Sequence, residues 1–180
     1  PTWTPDDPYF DEPHPTEGTS QWALPLMDMP LAWGALQTVF TEREPLVVAV
    51  IDTGYTEHPD ILGNLNTTDG YDFVGEDPPA NTSTGFASPY DTYGELPTYP
   101  YFTANDGDAY DADAHDAGDE IDFYVDPDYG NSWHGTSVAG TIAGSTNNGI
   151  GISGVAIDQV TVMPLRALGR GGGFTYDIAQ

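Results

Sequence analysis

Hydrophobic residues are concentrated in a few short segments of this chain, and these segments predict its regular elements. Residues 46–51 are all apolar and lie between Pro45 and Asp52, a pattern typical of a strand buried on both faces of a parallel sheet. Residues 160–168 predict a second long strand, and residues 71–74 predict a short one. The buried part of the fold is therefore expected to include a sheet.

Helices are predicted at two places between and before these strands. Residues 134–145 combine small and apolar side chains without proline, which favours a helix. In residues 21–33 the prolines limit any helix to a short piece near 31–36. A glycine-punctuated loop at 147–155 precedes the second long strand. The order strand, loop, helix, loop, strand predicts an α/β fold with a mainly parallel sheet.

Two long segments lack this patterning. Residues 1–20 are rich in Pro, Asp, Glu and Thr, which predicts an extended arm without regular structure. Residues 76–128 are poor in branched aliphatic side chains, and a connection of that length predicts either a functional insertion or disorder. With 180 residues, the chain is long enough for one domain with its own core.

Acidic residues far outnumber basic ones. The chain has 29 Asp and Glu against three arginines, and its formal net charge is −26. Such a surface repels nucleic-acid phosphates and anionic membranes, which excludes both as partners, and it attracts cations. Because bound divalent ions or screening salt would relieve the self-repulsion, we expect calcium dependence, a salty habitat, or both.

Other features of the composition bear on where the protein works. There is no cysteine, so disulfides are excluded, and the sequence has no run of about 20 apolar residues that could span a membrane. It begins at Pro1 without an initiator methionine or a leader peptide. We therefore expect a secreted, extracellular protein from which a signal peptide or propeptide was removed, although a start chosen for expression would look the same.

Asp52 and His134 are the candidates for catalysis. Asp52 follows the apolar strand, where parallel sheets place functional groups, and His134 begins a predicted helix, whose N-terminus keeps an imidazole unprotonated and available as a base. The small residues Gly135, Ala139 and Ala143 share one helix face and would let the helix approach the sheet closely. Each feature has a plainer alternative: Asp52 as a turn or capping residue, and the small face as a packing device.

Both regions resemble the motifs of one enzyme family. The segments "VVAVIDTG" around Asp52 and "SWHGTSVAGTIAG" around His134 are similar to the aspartate and histidine motifs of the subtilisin-like serine peptidases. "NNGIGISGVA" resembles the calcium loop of the family, and "QWALPLMDMPLAW" resembles the start of its secreted bacterial members. The resemblance covers most of residues 21–75 and 106–178. It implies a three-layer α/β/α, subtilisin-like fold, with residues 1–180 as the N-terminal part of one catalytic domain.

In that family Asp52 would orient and stabilise the imidazole of His134, which would take a proton from a serine hydroxyl. The nucleophilic serine and the oxyanion asparagine have no convincing place in these 180 residues. "GTSVA" mimics the nucleophile motif, but Ser137 lies three residues after His134 on the same predicted helix, where the family usually has a second histidine. We therefore expect the serine in a missing or separate C-terminal part of the same protease.

The resemblance also implies calcium as a cofactor at a first, tight site. Side chains and backbone carbonyls would contribute oxygen ligands there, which suit Ca²⁺. The implied ligands are the side chains of Gln21, Asp60 and Asn148 and the carbonyls of Thr146, Ile150 and Ile152.

A second calcium site is implied by the segment "DGDAYDADAHDAGD" at residues 106–119. It resembles a calcium-rich insert of secreted bacterial members, although a solvated acidic loop is an equally good interpretation of such a charge run. The candidate ligands are Asp106, Asp111, Asp113, Asp116 and Asp119.

Glycines after the second long strand complete the candidate site. In the family this region is an edge to which the substrate adds as an extended strand, and glycines let two backbones approach, so Gly171, Gly172 and Gly173 are candidates for substrate binding; a plain glycine loop is the alternative. The resemblance thus implies a serine endopeptidase acting on protein or peptide substrates. The alternative is a non-catalytic, calcium-binding pseudoprotease or binding module.

Overall fold

The computed structural model describes residues 1–16, 18, 20–37, 44–75, 104, 106–107, 110–119, 130–169, 172–173 and 175–180. The strands are β1 (Leu46–Asp52), β2 (Tyr71–Asp72) and β3 (Val160–Arg166). The helices are α1 (Pro8–Asp11), α2 (Ala23–Leu26), α3 (Met29–Leu36), α4 (His134–Ala143) and α5 (Thr175–Ile178), with single 3₁₀ turns at Leu62–Asn64 and Thr67–Asp69. None of the described helices has the length and apolar character that crossing a bilayer requires.

The described strands form a parallel sheet in the order β1-β3-β2. β2 pairs with β3 in parallel. At one end of β1 the N–H of Leu46 donates to the carbonyl of Gln159, and at the other end the N–H of Ala167 donates to the carbonyl of Asp52, so β1 and β3 also run in the same direction. This confirms the predicted α/β fold with a parallel sheet.

The chain divides into two compact units. The first comprises Pro1–Val50, Glu57–Asn66 and Thr136–Met163, and the second comprises Ile51–Thr56, Thr67–Gly135 and Pro164–Gln180. β1, α4 and β3 each contribute residues to both units.

The main core of the first unit is built from small and branched side chains. Val50 of β1 and Val162 of β3 are buried with Ile61, Ala139 and Ala143. Ala139 and Ala143 are four residues apart, so they lie on the same face of α4, and their small size lets that helix pack closely. Each buried valine stabilises the fold by roughly 1.5–3 kcal/mol relative to its exposed state.

A second cluster in the same unit surrounds Trp33, which has no exposed surface. Phe10 and Leu24 are buried beside it, and the ring of Trp3 meets it edge-on with centroids 5.9 Å apart. The indole N–H donates to the carbonyl of Val155 at 2.9 Å, so the polar atom of the buried ring has its partner. The N-terminal arm is thereby part of a packed core.

The prediction that residues 46–51 are buried on both faces is wrong for the described chain. Val50 is 7% exposed, whereas Leu46, Val47 and Ile51 are 71%, 54% and 53% exposed. The physical reason is that β1 lies at one end of the described sheet and the apolar cluster of Val50 covers only one of its faces. Val47 and Ile51 lie on the opposite face, and Leu46, the first residue of the strand, is not part of that cluster. An unbroken apolar run in the sequence therefore does not show whether the strand is buried on one face or on both.

The helical boundaries differ from the predictions in smaller ways. α1 is a single turn inside the arm that was predicted to be irregular, and α3 begins two residues earlier than predicted, at Met29. Both helices have a proline in their first turn, where its missing N–H costs nothing. Most of the predicted insertion at 76–128 lies outside the described residues.

Candidate active site

The end of β1 holds Asp52 in place through both its backbone and its side chain. Its carbonyl accepts hydrogen bonds from the N–H groups of Ala167 and Leu168 at 2.9 and 3.1 Å. The N–H of Thr53 donates to its Oδ1 at 2.7 Å. Asp52 is only 8% exposed, so its carboxylate has a fixed direction.

That direction is toward His134, the first residue of α4. The Nδ1 atom of His134 lies 2.7 Å from Oδ1 and 2.8 Å from Oδ2 of Asp52. The side chain of Asp52 is 11% exposed, whereas that of His134 is 63% exposed. The structure thus brings together the two residues predicted to be catalytic, and it leaves most of the His134 side chain exposed.

The two segments can approach this closely because each has a glycine at the contact. A Cβ on Gly135 would overlap the backbone carbonyl of Gly54, and a Cβ on Gly54 would overlap the carbonyl of Ala114. Gly54 also has a φ of +91°, a conformation that favours glycine. Backbone packing therefore requires a glycine directly after His134 and a glycine two residues after Asp52.

Hydroxyl groups that the sequence analysis did not identify also contact this site. The Thr53 Oγ1 donates to Asp116 Oδ2 at 2.9 Å and accepts the N–H of Gly135 at 3.0 Å. The Ser132 Oγ accepts the N–H of His134 at 3.2 Å. The sequence signal was only that hydroxyl residues stand beside both motif residues, and the partners of Thr53 lie 63 and 82 positions away.

The aspartates predicted for the second calcium site have separate protein partners. Asp111 accepts the N–H of Asp113 at 2.7 Å, and Asp113 accepts the N–H of His115 at 3.0 Å. Asp119 accepts the N–H of Ser132 at 2.5 Å. Within the described part of the chain, no three acidic or histidine side chains converge as a metal-binding group, so calcium binding by this segment stays a prediction.

Asp116 and Asp106 are the remaining two aspartates predicted for the second calcium site, and each contacts a buried partner. Asp116 accepts the N–H of Gly118 at 2.9 Å as well as the hydroxyl of Thr53, and burial raises the pKa of its carboxyl above the ordinary value. Asp106 Oδ2 lies 2.5 Å from Nη1 of Arg166. Neither residue contributes to a described cluster of three possible ligands.

A buried ion pair lies beside these aspartates. The fully buried Arg166 contacts Asp72 Oδ2 through Nη1 at 2.7 Å and the carbonyl of Ala104 through Nη2. Burial raises the pKa of Asp72 to about 7, although the N–H of Val74 and the guanidinium of Arg166 act to lower it. Neither Arg166 nor Asp72 was identified from the sequence, because an isolated Arg or Asp in a strand carries no signal of its partner.

The predicted ligands of the first calcium site come together around one loop. Asp60 Oδ1 accepts the side-chain amide of Asn148 and Oδ2 accepts the N–H of Ile152, both at 2.8 Å. Gln21 exchanges two hydrogen bonds of 2.8 Å with the backbone of Ser153. Thr146 and Ile150 lie in the same loop, where the N–H of Ile150 donates to Asn148 Oδ1 at 2.9 Å.

The same loop has a carboxylate partner that the sequence analysis missed. Asp7 accepts the N–H groups of Asn147 and Asn148 at 3.0 and 3.1 Å. It is 3% exposed, and burial raises its pKa above the ordinary value despite those two donors. Because Asp7 lies in a segment that reads as an irregular arm, only the folded chain reveals this contact.

The predicted substrate glycines follow β3. Gly172 forms an antiparallel bridge with Gly169 and has a φ of +115°. A Cβ on Gly173 would overlap the carbonyl of Ala167. Gly171 lies outside the described residues.

Comparison with known proteins agrees with these motifs. Residues 44–180 match the sequence profile of the Subtilase family. The chain is 38% identical over 143 residues to the Extracellular basic protease of Dichelobacter nodosus. This match covers 75% of the chain and 19% of that protein. The chain is also 37% identical over 172 residues to the Extracellular protease of Xanthomonas campestris pv. campestris. This match covers 93% of the chain and 25% of that protein.

A solved structure is also similar. It is a protease structure from Pseudoalteromonas arctica, which aligns with a TM-score of 0.63 at 37% identity and covers 98% of this chain and 42% of that one. The chain spans only about a fifth to a quarter of the length of the two curated relatives. Because the family profile covers most of its length, the chain belongs to the subtilase family.

Proposed function

We propose that this chain supplies the aspartate and the histidine of a serine endopeptidase, and that the nucleophilic serine comes from a part of the protease outside these 180 residues. The observation that carries the proposal is the contact of both Asp52 carboxylate oxygens with Nδ1 of His134. Membership of the subtilase family supports it, as do relatives that are named as proteases.

The contact determines what His134 can do. An ionised carboxylate only accepts hydrogen bonds, so Nδ1 must carry the proton that faces Asp52. The neutral ring then has its lone pair on Nε2, which can act as a base. Asp52 also stabilises the imidazolium that forms when Nε2 gains a second proton.

The proposed reaction is acyl transfer. Nε2 takes the proton of the serine hydroxyl as the serine oxygen attacks the carbonyl carbon of the peptide. Nε2 then returns this proton to the leaving amine as the C–N bond breaks, which leaves an acyl-enzyme ester. Water then hydrolyses this ester by the same steps. Nε2 takes a proton from the water as its oxygen attacks the ester carbon, and Nε2 returns the proton to the serine oxygen as the ester bond breaks.

We also propose a structural calcium ion at the loop held by Asp60. The donors fit a hard cation, because they are carboxylate, amide and backbone oxygens. Gly151 has a φ of +61°, and a Cβ there would overlap the carboxylate of Asp60, so a glycine lets the loop backbone approach that carboxylate closely. Asp60, Asn148 and Gln21, with the carbonyls of Thr146, Ile150 and Ile152, would hold the ion. Its contribution would be to neutralise charge and stabilise the loop.

The remaining parts of the proposal concern substrate and location. Gly172 and Gly173 follow β3 and carry no side chain, which supports a substrate that adds as an extended strand in this region. The relatives are named extracellular proteases, which supports a secreted protein acting on protein or peptide substrates.

Fluorophosphonate labelling tests this function. A preparation that contains this chain together with the remainder of the protease would be reacted with the label, and the labelled residue would be identified by mass spectrometry. We expect one serine outside this chain to react, and we expect His134→Ala to slow that reaction by at least about 100-fold, since general-base catalysis contributes about 10²–10⁴.

His14→Ala is the matched control, because it removes a histidine whose ring contacts Tyr9 and Thr16 instead of Asp52. It should leave the labelling rate unchanged. A folded preparation that binds peptides but neither reacts with the label nor hydrolyses them would contradict the proposal and favour a binding module.

A further inference from the structure

The first N–H groups of helix α4 have unusual partners. The leading N–H groups of any helix lack acceptors within the helix. In α4 the N–H of His134 donates to Ser132 Oγ at 3.2 Å, and the N–H of Gly135 donates to Thr53 Oγ1 at 3.0 Å. Two hydroxyl groups therefore hold the two residues at which the helix begins.

Each hydroxyl is itself oriented by an aspartate. Thr53 Oγ1 contacts Asp116 Oδ2 at 2.9 Å, and Ser132 Oγ contacts Asp119 Oδ2. Because an ionised carboxylate only accepts, each hydroxyl must direct its hydrogen at the aspartate and its lone pairs at the helix. An aspartate, a hydroxyl and a helix N–H thus form the same short chain of hydrogen bonds twice.

The chain through Thr53 is the better fixed of the two. Thr53 is 5% exposed and Asp116 is 1% exposed. The other oxygen of Asp116 accepts the N–H of Gly118 at 2.9 Å, so both carboxylate oxygens are directed at protein donors. Thr53 also donates its own N–H to Asp52. One residue therefore connects the catalytic carboxylate to the helix that carries the catalytic imidazole.

We propose that Asp116, acting through the hydroxyl of Thr53, is a positioning residue that holds His134 against Asp52, with Asp119 and Ser132 acting in parallel. This inference rests on the proposed function of the Asp52–His134 pair. It gives Asp116 a role different from the calcium ligand that the sequence predicted. Positional accuracy matters because a displacement of about 1 Å can cost about 100-fold in rate.

Thr53→Val is the sharpest test, because it removes the hydroxyl with little change of shape and leaves every carboxylate in place. We expect kcat to fall by about 10- to 100-fold while KM changes less than about twofold, since the backbone that meets substrate is untouched. Thr53→Ser restores the hydroxyl and should recover kcat to within about threefold of the original protein.

A second measurement does not depend on activity. In protein labelled with ¹⁵N-histidine, the Nδ1 proton of His134 should give a downfield resonance because it is hydrogen-bonded to a carboxylate. We expect that resonance to be broadened or lost in Thr53→Val through faster exchange with water, and to be retained in Thr53→Ser. If the original protein has no peptidase activity, the proposed function fails, and this resonance alone decides the positioning role.

Asp116→Asn is the second variant, to be used if Thr53→Val does not fold. An amide has one acceptor oxygen for two donors, so kcat and the resonance should change in the same direction. Asp11→Asn, an exposed acidic residue of α1, is the matched control and should change neither. Unchanged kcat and an unchanged resonance in folded Thr53→Val or Asp116→Asn would overturn the proposal, as would a change in KM alone.

Discussion

Asp52 is fixed by groups that are adjacent to it in space but mostly remote in sequence. Its carbonyl accepts two N–H groups that follow β3, and its carboxylate accepts the N–H of Thr53 and contacts His134. Since the backbone and side chain are both held, the carboxylate needs no rearrangement to stabilise a developing imidazolium. This is the property that the proposed chemistry requires of the residue.

The glycine after His134 provides the first prediction. Gly135→Ala would place a methyl group against the backbone of Gly54, and relieving such an overlap costs about 1–3 kcal/mol. We expect a lower free energy of unfolding and a lower kcat, measured by urea denaturation and by peptide hydrolysis.

Gly140→Ala on the same helix is the matched control. A methyl group there would lie 3.6 Å from Ile152 and 3.7 Å from Ile61, which is ordinary contact, and alanine is favoured over glycine inside a helix by up to about 1 kcal/mol. If Gly135→Ala proved as stable and as active as Gly140→Ala, the close approach of the two motif segments would be incorrect.

The raised pKa of Asp72 predicts how the free energy of unfolding depends on pH. Its pKa is about 7 in the folded chain against an ordinary value of 3.8, so the folded state binds its proton more tightly than the unfolded chain does. Its stabilising contribution is therefore complete below about pH 4 and is lost as the pH rises through about 7. The difference in free energy of unfolding between the original protein and Asp72→Asn should fall over this range by at most about 4 kcal/mol, since one pKa unit is about 1.4 kcal/mol.

Urea denaturation at several pH values from about 4 to about 8 measures this difference, and taking the difference removes the titration of the other carboxyl groups. Asp72→Asn keeps an acceptor oxygen that can face Arg166 but has no proton to lose, so the variant serves as a reference in which this titration is absent. A difference that stays constant or rises with pH would contradict the assignment.

Whether a residue of the site could be predicted from the sequence depends on how far along the chain its contact partners lie. Asp52 and His134 stand within local motifs, and the resemblance of those motifs to a known family identified them. The role of Thr53 depends on a partner 63 positions away, and that of Asp7 on partners 140 and 141 positions away. No local pattern encodes such pairs, and they appear only when the chain folds.

At the scale of elements, the type of each strand and of helix α4 could be predicted, but the burial of β1 could not. Periodicity identifies α4 because its small residues share one face, and Ala139 and Ala143 are indeed buried. The apolar run of β1 carries no alternation, so it does not reveal that Leu46, Val47 and Ile51 are exposed. That exposure depends on the position of the strand in the sheet.

The small face of α4 is open to a direct test. Ala139→Leu would add three carbon atoms where Ala139 is 2% exposed within the main core. We expect a loss of about 1–3 kcal/mol in the free energy of unfolding. Thr141→Leu, at an exposed position of the same helix, should change it by less than about 0.5 kcal/mol. Equal stability of the two variants would show that this face does not need small residues.

At the scale of the whole molecule, charge is the dominant property. A formal net charge of −26 repels itself in any compact state, and three arginines cannot offset it. One of them, Arg166, is already committed to Asp72 and Asp106. Bound cations or screening salt would relieve the repulsion within these residues, which is consistent with the proposed calcium ion at the Asp60 loop.

Calcium should therefore raise the melting temperature. An ion that binds only the folded state at about 100 times its Kd adds about 2.7 kcal/mol to stability, and chelation should remove this gain. Asp60→Asn should lose most of the response to calcium, measured by thermal denaturation with and without chelator. Asp28→Asn, which removes the same charge from an exposed position whose φ of 58° suits asparagine, should keep it. An equal response in both variants would exclude Asp60 as a ligand.

The central claim is that Asp52 and His134 act as one catalytic pair, and the kcat/KM of Asp52→Asn tests it most directly. The enzyme would be prepared with its serine-bearing part, and its folding would be checked by circular dichroism. An amide at this position leaves the packing nearly unchanged but no longer imposes the Nδ1–H tautomer, so the account predicts a fall of about 10³–10⁴-fold in turnover. Turnover equal to that of the unsubstituted enzyme, in a folded protein, would contradict it.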